Sequence, residues 1–571
     1  MTSCGKSFCY LRGKLCLEAI HAMKTCDHST CGTRMLALAA LTLLPFYPQA
    51  ININKAGAGG ETIFAEFEPV EGASRYVATY TGKNNSAQEA DPRLVRLYPG
   101  RVRVDIPGVS PGSYSMKIRA LDAAGNVIDE ASTDTLTPYP LSREGFAFSG
   151  GNIPGAYKPD GTLKDGAGVV YVSPETVNTV SFDIVKNAAG DKATFTGLTE
   201  ILSAAGKGYH KDPLAIRITG CLADTLVRGL KEGIYLGLQG HDEGNRRLEN
   251  VTIEGIGNDA TLYGFGVHLK RTKNIELRNL GIMLQGDDAV SLEKDNNNIW
   301  IHNIDFFYGR PGADADQVKG DGSVDIKARS TDITVDHNHF RDNGKVTGTW
   351  GSDSLASQTR VTYHHNWFDH TDSRCPRLLG ATAHIYNNYY DGVAVYGIGA
   401  TEGSSAFAEA NYFRGCKRPM MISGQGTDTY DSKTKGYTRK GTFSGLAGGI
   451  IKAFGNHFEG QKPKLVYQTD SPAQFDAWLA GERDEKVPMT ALTIRGANPY
   501  SNFDTAPGMY PYAPDAAADV PAKVTTRAGR LEGGDFRWTF DNAADDPRHD
   551  LNPALRQALL DYRPSAPITQ Q

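Results

Sequence analysis

From about residue 145 onward a short unit recurs along the chain: a β-branched stretch, an asparagine, then an aromatic or aliphatic residue. It reads NIELRNLGI, NIWIHNIDF, DITVDHNHF, RVTYHHNWF, AHIYNNYY, FAEANYF and IIKAFGNHF, with asparagines at Asn279, Asn303, Asn338, Asn366, Asn388, Asn411 and Asn456. Successive asparagines stand 24, 35, 28, 22, 23 and 45 residues apart, a period in the low twenties broken by insertions. A unit this short cannot bury its apolar face alone, so it must stack on copies of itself. The units are rich in Ile, Val, Tyr and Phe and lack helical periodicity, which selects an all-β, right-handed parallel β-helix over a helical solenoid. Neighbouring coils would lie ~4.8 Å apart, so the recurrent asparagine is expected to form an inward amide ladder at one bend.

At 571 residues the chain is longer than one core usually serves, and at least two units are expected. Between about residues 60 and 140, RYVATYTG, RVRVDIPGV and PGSYSMKIRALDAAGNV alternate apolar and polar positions between Gly, Pro and Asn, the pattern of half-buried strands. The last of these resembles the closing hairpin of a fibronectin type III β-sandwich, with Tyr114 as its tyrosine corner, and implies a spacer without catalysis. The β-helix is expected over residues 145–510. Residues 511–571, with the helical-looking PALRQALLDYR, are expected to pack along its outside or to cap an end.

Residues 1–50 read as a leader. Within it Thr33 to Ala50 has a basic flank, an apolar run too short to span a bilayer and a small residue at its end, which predicts a secretory signal starting from Met23 or Met35 and export outside the cell or into the periplasm. Five of the eight cysteines precede residue 32, so no disulfide framework can be read from the body. No later segment has the apolar length of a membrane helix. A formal charge of −5 argues against a general nucleic-acid binder, and any chemistry on a polyanion must be local.

Residues that carry chemistry concentrate in three stretches. DGSVDIK places Asp321 and Asp325 four apart with Lys327 beyond, QGDDAVSL holds Asp287 and Asp288, and SRCPRLLG holds Arg374 and Arg377. A spacing of four within a strand would put Asp321 and Asp325 on one face. Each acid taken singly is ordinary turn punctuation. Gathered on one sheet with cations, they suggest a metal-bridged site for a polyanion.

Together DGSVDIK, VTYHHNWF, SRCP and HIYNNYY resemble the pectate lyase family of parallel β-helix polysaccharide lyases, over roughly residues 145 to 510. The resemblance implies calcium-assisted β-elimination on α-1,4-polygalacturonate, with Asp288, Asp321 and Asp325 as Ca2+ ligands. Arg374 is implied to take the C5 proton, and Lys327 and Lys345 to hold substrate carboxylates. A guanidinium is protonated at any ordinary pH, so Arg374 as a base requires strong perturbation; as a partner of uronate it requires none. The family's second arginine, five after the first, is Leu379 here; Arg377, a candidate substrate contact, lies two residues earlier and is expected to point differently. His302, His364 and His365 are expected in a ladder or core, and Cys375 as a small filler. The expected partner is pectate, acted on by a monomer, with no nucleic acid and no membrane.

Two rival functions use the same features. GDDAVSL looks like the paired-aspartate motif of a polygalacturonase, whose hydrolysis needs two carboxylates across the bond, but that family's Gly-His-Gly and Arg-Ile-Lys partners are missing. A noncatalytic pectin-binding β-helix is the other, resting on Leu379. Pectin lyase, the metal-free relative, is disfavoured by the retained aspartates.

Overall fold

The computed structural model describes residues 50–82, 86–311, 318–350, 359–431, 436–437, 443–493, 499–564 and 566–570. The expected secretory signal, Ala50 apart, lies outside the described residues. Between Gly168 and Leu479 the chain coils so that successive strands fall on three parallel sheets, of eleven, nine and eight strands among the described residues. This is the parallel β-helix.

Coils pair in register, so like side chains stack in files. Leu277, Ile301, Val335, Tyr363, Ile385 and Ala408 stand side by side on the 11-stranded sheet, all fully buried. On the nine-stranded sheet Phe306, Phe340, Phe368, Tyr390, Phe413 and Phe458 stack with centroid separations of 4.8, 5.2, 4.8, 4.3 and 5.3 Å. Those separations follow the strand spacing of ~4.8 Å, which brings rings on adjacent coils face to face.

The asparagine ladder is shorter than the sequence suggests. Asn338, Asn366, Asn388, Asn411 and Asn456 form it, each Oδ1 accepting from the backbone N–H and the Nδ2 of the asparagine one coil earlier, except Asn338, whose Oδ1 accepts from Ile304 N. Asn279 and Asn303 are not members: they sit one residue earlier, at φ 52°, and the buried Leu280 and Ile304 occupy the inward positions of their coils. Both instead hold the C-terminal segment. Asn279 Oδ1 accepts from Leu531 N at 2.7 Å, and Asn303 Nδ2 donates to Arg527 O at 2.9 Å.

Before the β-helix lie two antiparallel sheets. One runs Ile53–Gly59, Thr62–Phe67, Arg101–Pro107, Val95–Tyr98 and Ile568–Thr569; the other Ala87–Glu89, Arg75–Thr81, Ser115–Leu121 and Val127–Ser132. Phe67 of the first meets Tyr76 of the second at 5.1 Å. Polar contacts join the first sheet to the β-helix: Arg96 Nη1 donates to Ile256 O at 2.7 Å and Tyr98 Oη to Asp259 Oδ2 at 2.7 Å.

The tail retraces the solenoid along its outside. Tyr510 bonds His384 Nδ1, the helix Val520–Arg527 buries Val520 and Val524 on Tyr389, Arg530 pairs with Asp305, and the helix Pro553–Leu560 buries Leu555 and Leu559 on Met283 and Tyr308. Ile568 then pairs with Leu97 of the first sheet.

Candidate active site

Along the outer face of the eight-stranded sheet, His268, Ser291, Asp325, Gly348, Arg377 and Gly399 follow one another in register. Strand alternation fixes this face: Val267, Val290, Val324 and Leu378, each adjacent in sequence, are fully buried in the core. Four consecutive coils therefore deliver Asp288, then Asp321, Asp325 and Lys327, then Lys345 and Trp350, then Arg374 and Arg377 to one surface.

Asp321 is not in a strand with Asp325. The strand begins at Val324, and Asp321 sits in the preceding turn, where its Oδ1 accepts from Gly322 N at 2.9 Å; Gly320, at φ 93°, and the turn at Gly322 end strand geometry before it. The turn, rather than alternation, aims Asp321 at the cluster. Oxygens of Asp287, Asp288 and Asp321 lie within 4.8 Å of one another. A Cβ built on Gly322 would lie 2.6 Å from Asp325 Oδ1 and 2.9 Å from Asp288 Oδ1, so those two carboxylates close over a floor that only glycine leaves open.

Two cations border the acids. Lys327 Nζ donates to Asp288 Oδ2 at 2.7 Å, beside Ser291 Oγ at 2.8 Å from the same oxygen, and Lys345 Nζ donates to Asp321 Oδ1 at 3.3 Å. Burial, and then the adjacent Asp288, push Asp325 well above the usual carboxylate range, against the pull of Lys327 and Arg374. Burial also raises Asp288 despite Lys327. Crowded, buried carboxylates are short of positive charge, and all-oxygen donors from short side chains suit a hard divalent cation. The residues fit calcium.

Arg374 stands in the left-handed region, at φ 62°, where its carbonyl accepts from Thr347 N at 2.8 Å. Its guanidinium carbon lies 4.9 Å from the Trp350 ring centroid, and that of Arg377 lies 4.3 Å from the same ring. Arg377 Nη2 donates to Ser444 Oγ at 3.1 Å. Burial, and after it the like charge of Arg374, draw Arg377 below its ordinary value, although Tyr396 opposes them. All seven sequence-predicted site residues thus share one face.

Sequence reasoning left out several residues of this face. Trp350 is the ring under both arginines, and Asp287, named beside Asp288 in the sequence but not assigned as a ligand, joins the acid cluster. A cavity of about 300 Å³ continues the groove past Lys327, lined among others by Lys231, Tyr235, His268, Lys270 and Asp287. The signal was present: GVHLK, AVSLE and SVDIK are successive copies of one strand, which equates His268 with Asp325, and a register shift after Leu269 then sets Lys270 beside Lys294. His302, expected in a ladder or core, stacks on Trp300 at 3.7 Å and bonds Glu276 Oε1 at 3.1 Å, while Cys375 is fully buried.

Residues 241–447 match the pectate lyase family. The region that carries the acids and the arginines belongs to the pectate lyase family. It is 29% identical over 235 residues to a pectate trisaccharide-lyase of Bacillus licheniformis, covering 41% of this chain and 65% of that protein. With pectate lyase A of Emericella nidulans it shares 34% over 184 residues, 31% of this chain and 55% of the relative. The chain thus spans less than two thirds of the length of these pectate lyases. A pectate lyase of Bacillus sp. N165, crystallised with trigalacturonate, superposes with a TM-score of 0.47 at 21% identity, over 68% of this chain and 99% of that one.

Proposed function

We propose that this chain is a secreted, calcium-dependent pectate lyase that cleaves α-1,4-polygalacturonate by β-elimination to 4,5-unsaturated oligogalacturonates. The observation that carries this reading is the convergence of Asp288 and Asp325 over Gly322, on the same face as Arg374, which lies two coils beyond Asp325. Asp288, Asp321 and Asp325 would hold Ca2+, whose charge, shared with a uronate carboxylate, lowers the cost of building a second negative charge beside it. Lys327 and Lys345, at the rim of the acid cluster, bind carboxylates of the sugar chain, and Lys231 and Lys270 extend that cationic lining along the groove.

Arg374 takes the C5 proton. The electrons left behind form the C4–C5 double bond, and the C4–O bond breaks, the departing oxygen taking a proton from water to release the neighbouring sugar. Arg377, sharing the Trp350 ring with Arg374, supplies the second guanidinium that Leu379 does not. The enzyme acts as a monomer, and the fibronectin type III-like sandwich serves as a noncatalytic spacer.

Leu379 also favours a second reading, a β-helix that binds pectate without cleaving it. Polygalacturonate and calcium are added and ultraviolet absorbance followed: a lyase produces unsaturated ends, a hydrolase reducing sugar without absorbance, a binder neither. A chelator should abolish the signal. Arg374→Ala should lower turnover by ~10²–10⁴-fold, the range of a positioned proton-transfer group, with the fold unchanged by circular dichroism. Near-normal turnover in that variant would remove the role given to Arg374.

A further inference from the structure

We propose a second metal site, for a divalent transition ion such as Zn2+, on the outer face of the 11-stranded sheet, formed by Asp336 Oδ2, His337 Nδ1 and His364 Nε2. Asp336 and His364 are register partners on adjacent strands, and the next residues, His337 and His365, both turn out of the sheet at φ 49° and 52° with rings stacked 4.9 Å apart at an interplanar angle of 2°. Two dipeptides thus lie in parallel on neighbouring coils, and the three ligand atoms fall within 4.8 Å of one another.

The observation that points to an ion is His364 Nε2. It is buried and has no hydrogen-bond partner among the described residues, while it faces Asp336 Oδ2 at 3.9 Å, beyond hydrogen-bond reach. Its other nitrogen is engaged: Nδ1 lies 3.0 Å from His365 Nδ1, and His365 Nε2 lies 3.1 Å from Asp515 Oδ2. In a neutral His365, Nε2–H donates to Asp515, Nδ1 accepts from His364 Nδ1–H, and His364 Nε2 presents a bare lone pair to a carboxylate. Two acceptors facing each other at a buried nitrogen call for a cation between them.

The remaining geometry agrees. His337 Nδ1 lies 2.8 Å from the same Asp336 oxygen. Bonds of about 2.0–2.1 Å in a tetrahedron set ligand atoms roughly 3.3 Å apart, between the 2.8 and 3.9 Å separations present. Asp336 Oδ1 accepts from Trp300 Nε1, which leaves Oδ2 as the single donor oxygen, and His365 orients His364 from behind. His337 also lines a cavity of about 140 Å³ with Tyr139, Asn303 and Arg527, which gives an ion a route in and leaves the fourth position to water. Two imidazoles select zinc, copper, iron or nickel over calcium, so this site and the acid cluster on the other sheet take different ions.

The full chain is stripped with chelator, returned to excess CaCl2, and titrated calorimetrically with ZnCl2; Co2+ is substituted to read the visible spectrum of a tetrahedral site. One equivalent is expected, with at least ~10-fold weaker binding in His337→Asn, which keeps a residue suited to the left-handed backbone. Asp325→Asn should bind Zn2+ as the parent does. No saturable binding, equal affinity in His337→Asn, or loss of Zn2+ in Asp325→Asn would each overturn the assignment.

Discussion

Gly322→Ala tests the acid cradle without touching an acid. Gly322 is not in the left-handed region, so alanine meets no backbone strain, and the effect comes from its methyl group. That methyl would sit 2.6 Å from Asp325 Oδ1 and 2.9 Å from Asp288 Oδ1, where ordinary contact begins at 3.4 Å. Asp325 must therefore retreat by about 0.8 Å and Asp288 by about 0.5 Å, whereas calcium–oxygen bonds span only ~2.3–2.6 Å. Both ligands leave that window together. The half-saturating calcium concentration in the absorbance assay should rise by ~10–100-fold, about 1.4–2.7 kcal/mol. Calcium-dependent protection against thermal unfolding should fall in parallel, while Gly508→Ala, whose added methyl meets nothing within 4 Å, leaves both unchanged. An unaltered calcium requirement in a folded Gly322→Ala protein would refute convergence of Asp288 and Asp325 on one ion.

Three further outcomes are expected. Trp350→Ala removes the ring beneath two guanidinium groups, each contact worth ~0.5–2 kcal/mol, and should lower kcat/KM by ~10–100-fold in steady-state assays. Asn366→Ala leaves Val335 O and the amide of Asn338 buried without partners, and denaturant unfolding should record a loss of about 2–6 kcal/mol. Glu276, although burial pushes it up, is drawn from an ordinary 4.5 down to about 2 by Arg278 and His302. A depressed carboxylate contributes stability that is complete above its unfolded pKa and is lost as pH falls, here between 4.5 and about 2. Thermal unfolding of Glu276→Gln across that window should show a flatter pH dependence than the parent, from a lower neutral starting point.

The solenoid was legible because its coils repeat a chemical pattern. Its bends were less so. The left-handed residue before the ladder position and the ladder position itself both favour asparagine, one for backbone conformation and one for its amide. In Asn387–Asn388 the two stand together; in Asn279 and Asn303 only the first is asparagine, and residue type alone does not separate them. Asp321 reached the acid cluster by a turn that the spacing of four did not describe. Trp350 was missed because its role arises from Arg374 and Arg377 on the next coil, a proximity that strand register creates and linear distance hides. His364 and His365 were read as ladder or core; His364 is buried and His365 half-buried, and what sequence could not supply was Asp336 in register on the adjacent strand.

The pairing of Ile568 with Leu97 sets an order on assembly. The first sheet emerges from the ribosome hundreds of residues before its last edge strand exists, and until then the Val95–Tyr98 strand offers open hydrogen-bonding groups to any passing chain. Docking of the tail therefore closes the molecule as a clasp does: the solenoid must already be wound for the tail to find its path along the coils, and an edge left bare would report, through aggregation, every molecule in which winding had failed.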